Sequence, residues 1–218
     1  MMSNSDISIL IPARGGSKRI KNKNICLVDG KPLIAYCIEQ ALEVTKNVFV
    51  STDCEKIKKA CQPYKVAIID RPRHLATDTS DVRDTIRHFF EKNKNDILVL
   101  MQPTSPLVRS SFVLEGIKKM NNFDSIISVC EMRSFFWNKD KQPINYDPLN
   151  KPRTQDMDAL YMENGAFYIT RRDNFLSHNT LTNGNVGFAV MPQELSVDID
   201  TESDLKKFRI MIKYINDK

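Results

Sequence analysis

Histidine is scarce in this 218-residue chain. The three present (His74, His88 and His178) are too scattered for metal-ligand spacing or a Ser-His-Asp set. The five cysteines, at positions 26, 37, 54, 61 and 130, are odd in number and form no CxxC pair. That argues against a disulfide framework and for a reduced, cytoplasmic setting. The longest apolar runs, such as Ile97–Met101, are about five residues, far short of the roughly 20 a bilayer span needs, so no membrane partner is expected. The opening MMSNSD lacks a basic n-region and an apolar stretch, so no signal peptide is expected. GxxxxGK[ST] and GxGxxG are both missing, which sets aside a Walker-type site and disfavours a dinucleotide fold. No internal repeat or low-complexity tract is present.

What is present reads as an ordinary globular protein, 41% hydrophobic and 27% charged. A net charge of +5 is too mild to imply nucleic acid, and no nucleic-acid partner is expected. The length fits one domain over residues 1–218. Strand-like and helix-like segments alternate. Ile7–Ile11, Asn47–Ser51, Val66–Ile69, the continuous apolar run Ile97–Met101, and Ser125–Cys130 read as strands. Lys31–Val44, Asp53–Cys61, a segment striped by Val82, Ile86, Phe89 and Phe90, Ser110–Met120, and a C-terminal segment opened by Thr201 read as helices. This rhythm predicts an α/β fold, a mostly parallel sheet with helices on both faces.

The alternation breaks between Glu131 and Asn185, a stretch with the only tryptophan (Trp137) and punctuation at Pro143, Pro148, Pro152 and Gly165. Loops of that length without structure are uncommon, so residues 131–185 are expected to leave the sheet as an inserted arm, serving dimerisation or as a lid.

Three segments carry chemistry. In Ile11–Asn24, IPARGGSKRIKNKN, five cations (Arg14, Lys18, Arg19, Lys21 and Lys23) follow the first strand, and no acid occurs between Asp6 and Asp29. Gly15 and Gly16 let backbone N–H groups approach an anion where the chain leaves the strand, so phosphate binding is favoured over a merely solvated turn. In VDIDTESDL, Asp198 and Asp200 are two residues apart. On a strand both would face one way and suit Mg²⁺; the other reading is a helix cap by Asp200 and Thr201. QPTSPLVR follows the central strand. There Gln102, Thr104 and Ser105 offer hydrogen bonds to a polyhydroxyl substrate, or the prolines build a rigid turn.

Taken together these segments resemble the acylneuraminate cytidylyltransferase (CMP-sialic acid synthetase) family. Further matches are STD (Ser51–Asp53), RPRHLATDT (Arg71–Thr79), PRTQD (Pro152–Asp156), ENGAFYI (Glu163–Ile169) and VDID. The resemblance implies a nucleotide-diphospho-sugar transferase-like, Rossmann-like fold with a dimerisation arm. It further implies transfer of CMP from CTP to a nine-carbon 2-keto-3-deoxy sugar acid, with Mg²⁺ and a homodimer. By matching, Ala13, Arg14, Ser17, Lys18, Lys23, Asn24, Arg71 and Asp78 would form the nucleotide site, with Arg14, Lys18 and Lys23 on the triphosphate. Asp198 and Asp200 would bind metal, with Asp200 catalytic alongside those three cations. Gln102, Thr104, Ser105, Arg153 and Gln155 would hold the sugar acid. One departure is visible: Lys21-Asn22 stands where the family commonly has Pro-Gly. CMP-Kdo synthetases lack the SKR feature and carry an acidic motif in place of QPTSP. The competing readings are a related nucleotidyltransferase acting on another sugar acid such as Kdo, and a non-enzymatic nucleotide- or nucleic-acid-binding protein.

Overall fold

A computed structural model describes residues 6–216; the MMSNS segment weighed above as a targeting signal lies outside them. Strand β1 (Ile7–Pro12) leads into the basic loop. A two-residue hairpin follows, β2 (Leu27–Val28) and β3 (Lys31–Pro32). Asp29 and Gly30 both take positive φ (48° and 76°) at its turn, as an Asp-Gly pair readily does. Lys31 and Pro32 therefore belong to the hairpin, and helix α1 (Leu33–Val44) begins one residue after the proline.

The chain continues through β4 (Val48–Thr52), α2 (Glu55–Cys61), β5 (Ala67–Asp70), α3 (Val82–Lys92), β6 (Ile97–Met101) and α4 (Ser110–Lys119). It closes with β7 (Ser125–Met132), β8 (Leu160–Arg171), α5 (Arg172–His178), β9 (Val186–Val190) and α6 (Glu202–Asn216). The main sheet has seven strands in the order β5-β4-β1-β6-β8-β7-β9. β8 runs antiparallel to β6 and β7; the other pairs are parallel. This is the mostly parallel α/β sheet that the alternation predicts.

Strand periodicity sorts the core into two layers. Ile9 and Ile11 of β1 and Ile97, Val99 and Met101 of β6 pack on the side of α1, α2, α4 and α6. Leu10, Leu98 and Leu100 point the other way, against Phe89 of α3 and Phe175 of α5. All are buried, and each such side chain contributes about 1.5–3 kcal/mol when fully removed from water. Asp81 caps α3 by accepting the Arg83 N–H at 2.8 Å, as expected of an Asp before an apolar stripe.

The excursion is shorter than the 131–185 expected. β8 lies inside the sheet and β9 pairs with β7, so the chain leaves the sheet only over residues 133–159. Gly165 read as a break, but it sits in a bulge within β8: its φ is +69°, and the β7–β8 register shifts between Ile127 and Val129. Residues 133–159 are organised by an aromatic cluster. The Phe135 and Tyr146 rings are 4.6 Å apart, and Lys151 Nζ lies 4.2 Å above Phe135.

Candidate active site

β1 is flanked by β4 on one side and β6 on the other, and the chain builds outward to β5 before crossing back to β6. Such a reversal opens a crevice at the carboxyl ends of the two central strands. The loop after β1 and the QPT segment after β6 meet there. They enclose a cleft of about 370 Å³ lined by Arg14, Ser17, Lys18, Arg19, Lys23 and Asn24 on one side and Gln102, Pro103 and Thr104 on the other, with Asp78 and Asp200.

The loop is held from beneath. Ala13 is fully buried and donates its N–H to the Ser51 carbonyl at 2.9 Å. Gly15 donates to Asp53 Oδ1 at 2.8 Å, and a Cβ on Gly15 would come within 3.0 Å of Cys54 Cβ. Gly16 takes φ +68°, which suits glycine. Asn24, 6% exposed, donates from Nδ2 to the Arg14 carbonyl at 3.1 Å and closes the loop on itself. Asn22 takes φ +55°; asparagine tolerates this left-handed geometry better than most residues, which explains how Lys21-Asn22 replaces Pro-Gly.

Four cations converge on two carboxylates. Arg14 and Lys18 reach Asp78 at 2.8 and 2.5 Å, while Arg19 and Lys23 reach Asp200 at 2.6 and 3.2 Å. Lys21 is exposed and does not line the cleft. Hydrogen bonds from Lys18 and Arg14 hold the Asp78 carboxyl below the usual carboxylate range. Burial pushes the Asp200 carboxyl up, but Lys23 and Arg19 outweigh it and leave it below the ordinary value.

Val197–Asp200 is not a sheet strand, so the condition under which both carboxylates would face one way is not met. Ile199 is buried and donates its N–H to the Thr104 carbonyl at 2.8 Å, which pins the two aspartates on either side of it. They line different hollows, Asp200 the basic cleft and Asp198 a neighbouring one of about 300 Å³ with Met162, Glu163, Asn164, Gly165, Tyr168 and Ser196. Although Asp198 is exposed as a residue, its carboxyl end is shielded. Burial raises it above the usual range, Thr104 opposes that through a hydrogen bond, and Asp200 adds to the rise. Of the cap reading, Thr201 is borne out and Asp200 is not: Thr201 Oγ1 accepts the Asp204 N–H at 3.3 Å, and Asp204 accepts the Thr201 N–H at 2.9 Å in return.

Arg71, 8% exposed, lies behind the loop. It donates from Nε to Ser51 Oγ at 3.1 Å and from Nη2 to the Ser51 carbonyl at 2.7 Å. Burial lowers it to about 10, with Asp53 countering and Arg14 adding to the fall.

Gln102 and Thr104 line the cleft as read from sequence. Ser105 does not: it is 1% exposed, and its side chain lies inside the turn. Arg153 and Gln155 are exposed on the excursion and line neither hollow. Two features went unassigned in the sequence. One is Asp53 under Gly15. The other is the Tyr168 hydroxyl donating to Glu163 Oε1 beside Asp198. Burial, then Glu163, pushes the Tyr168 phenol well above its ordinary range. The signal for that second hollow was the Asn-Gly pair inside an otherwise strand-like ENGAFYI.

A mostly parallel sheet with a basic, glycine-bearing cleft at its switch point is the nucleotide-diphospho-sugar transferase fold. The chain belongs to the cytidylyltransferase family, whose model matches residues 8–217. It is 34% identical over 210 residues to N-acylneuraminate cytidylyltransferase A of Danio rerio, a match spanning 91% of this chain and 49% of that protein. The chain thus spans about half the length of that relative and of the other N-acylneuraminate cytidylyltransferases it matches. It is 32% identical to pseudaminic acid cytidylyltransferase of Campylobacter jejuni, over 94% of this chain and 95% of that one. Among solved structures, a CMP:2-keto-3-deoxy-manno-octonic acid synthetase complexed with CTP matches with a TM-score of 0.73 at 21% identity, covering 95% of this chain and 98% of the other. That likeness is one of fold. The resemblance to acylneuraminate cytidylyltransferases read from the motifs is borne out.

Proposed function

We propose that the chain transfers CMP from CTP to the anomeric hydroxyl of a sialic-acid-like, nine-carbon 2-keto-3-deoxy sugar acid and releases pyrophosphate. The observation that carries this is the cleft itself, in which Arg14, Lys18, Arg19 and Lys23 face Gln102 and Thr104 across the switch point. Relatives named for N-acylneuraminate and for pseudaminic acid support the acceptor class.

In this reading the anomeric hydroxyl attacks the α-phosphorus in line as the bond to the β-phosphate oxygen breaks. The protein positions both substrates and neutralises charge. Arg14, Lys18 and Lys23 stabilise the departing pyrophosphate, with N–H groups and cations fixed in advance. Arg71 and Asn24, on buried supports behind and beside the loop, set where the cytidine lies. Gln102 and Thr104 orient the acceptor, which extends toward the hollow of Glu163 and Tyr168.

Asp198 and Asp200 are the carboxylates that would hold a Mg²⁺ ion in this reading. They line adjacent hollows on either side of Ile199, and the charge of Asp200 bears on Asp198. An ion that keeps waters and takes substrate phosphate oxygens needs only such a pair. When bound, Mg²⁺ would neutralise phosphate charge.

The chain acts as a homodimer in this account. Tyr161 and Phe188 are exposed with their rings 5.2 Å apart, Leu160, Met162 and Val190 are exposed on the same two strands, and Trp137, Ile144 and Leu149 are exposed on the excursion. Through its partner the excursion would also bring Arg153 and Gln155 to a sugar site. No helix among the described residues is long and apolar enough to cross a membrane. The five free thiols support a cytoplasmic setting, where CTP is available.

The test is a pyrophosphate-release assay of four nucleoside triphosphates against N-acetylneuraminate, deaminated neuraminate, legionaminate, pseudaminate and Kdo. Turnover with CTP and a nine-carbon acid is expected; preference for a purine nucleotide would refute the reading.

A further inference from the structure

The two carboxylates in the basic cleft are not equivalent. Asp200 lies within electrostatic reach of Asp198, so a cation has a second acid to share. Among the described residues the ion pairs of Asp78 run to Arg14 and Lys18 alone, at 2.8 and 2.5 Å. Those are cations that the cytidylyl-transfer reading assigns to the triphosphate. A phosphate oxygen and a carboxylate oxygen both accept from such N–H groups, and two anions crowded on one cation repel.

The mounting of Asp78 is independent of these pairs. It sits in a turn where Thr77 donates its N–H to Ser80 Oγ at 2.9 Å and Ser80 donates its hydroxyl to the His74 carbonyl at 3.0 Å. The turn therefore keeps its shape when the Asp78 charge is removed.

Four cations against two carboxylates leave the cleft with two net positive charges, short of the charge on a free triphosphate. Deleting the Asp78 charge raises the attraction for any polyphosphate. The natural residue therefore weakens binding at this position.

We propose that Asp78 is a competing counter-ion: it holds Arg14 and Lys18 aimed across the cleft, yields them to the entering polyphosphate, and reclaims them as pyrophosphate leaves. This rests on the cleft being a polyphosphate site and goes beyond the nucleotide contact that family matching implies for Asp78. Its effect is to sacrifice affinity for faster release.

Calorimetric titration of inorganic pyrophosphate with Mg²⁺ into the full chain tests it. The proteins are wild type, Asp78→Asn, Asp78→Ala, Lys18→Met, and Asp78→Asn combined with Lys18→Met, each checked for folding by circular dichroism. Both Asp78 variants should bind pyrophosphate about fivefold more tightly, as expected for releasing two partly exposed pairs. The gain should shrink in the double variant when compared with Lys18→Met alone. Unchanged or weaker binding by either folded Asp78 variant would overturn the proposal, because a purely organising role predicts loss. Turnover of CTP by the wild type reports separately on cytidylyl transfer: tighter pyrophosphate binding without turnover would support the counter-ion and sink the enzymatic reading.

Discussion

Lys23 donates from Nζ to the carbonyl oxygen of Ile199 at 2.8 Å, joining the first loop of the fold to the segment before its last helix. The same ammonium lies 3.2 Å from Asp200, so the charge that faces the cleft also fixes the aspartate proposed to bind metal. Two ends of the chain, 176 residues apart, are thereby locked into one site.

Asp200→Asn should retain the fold, because the Ile199–Thr104 backbone bond and the reciprocal Thr201–Asp204 capping bonds stay in place. Its turnover should fall about a hundredfold or more, as expected when a group stabilising transition-state charge is lost. Steady-state kinetics with a thermal melt check both halves; near-normal turnover would remove Asp200 from the metal site.

Asp198→Asn should be stabilising near neutral pH. The folded carboxyl is raised above its unfolded value by burial and by Asp200, so the folded state binds the proton more tightly. Stability then falls as pH rises from the ordinary carboxylate value through the raised one, and the penalty persists above that window. The variant should melt higher than wild type at pH 7, with the difference fading as pH drops below the unfolded carboxylate range. A lower melting temperature at pH 7 would contradict this sign.

Gly15→Val should cost about 1–3 kcal/mol and raise the KM for CTP, since even its Cβ meets Cys54 Cβ at 3.0 Å. Displacing the residue also strains the Gly15–Asp53 bond that supports the loop. Denaturant melts and CTP kinetics report the two effects. A variant as stable as wild type would show that the loop yields here.

Asn22→Gly should stabilise the chain by up to about 1 kcal/mol, because glycine meets no Cβ penalty at φ +55°. The greater freedom of glycine in the unfolded chain works against the gain. Urea melts of the two proteins measure the balance.

How much of this was legible in the sequence depended on whether the signal was local. The runs at Ile7–Ile11 and Ile97–Met101 became the central strands β1 and β6, because burial on both faces leaves a continuous apolar stretch. The basic loop and Gln102–Thr104 could be placed at strand ends by the same reasoning. β8 escaped because Gly165 read as punctuation, whereas it and Asn164 form a bulge whose cost is met by long-range bonds: Asn164 Nδ2 donates to Ser196 Oγ, and Ser128 Oγ accepts the Phe167 N–H. The one-sided pair that Asp198 and Asp200 would make on a strand does not form, because that segment is held by one anchored residue, Ile199, docking on Thr104. Asp53 beneath Gly15 is a contact across 38 positions, which no periodicity records.

Cytidylyl transfer requires that CMP move as a unit from CTP onto the sugar acid. Incubating the chain with CTP labelled at the α-phosphate, Mg²⁺ and a nine-carbon 2-keto-3-deoxy acid tests it most directly. The label should appear in a CMP-sugar, with unlabelled pyrophosphate released in equal amount. Label that stays in CTP with every such acid, or appears in pyrophosphate, would contradict the account.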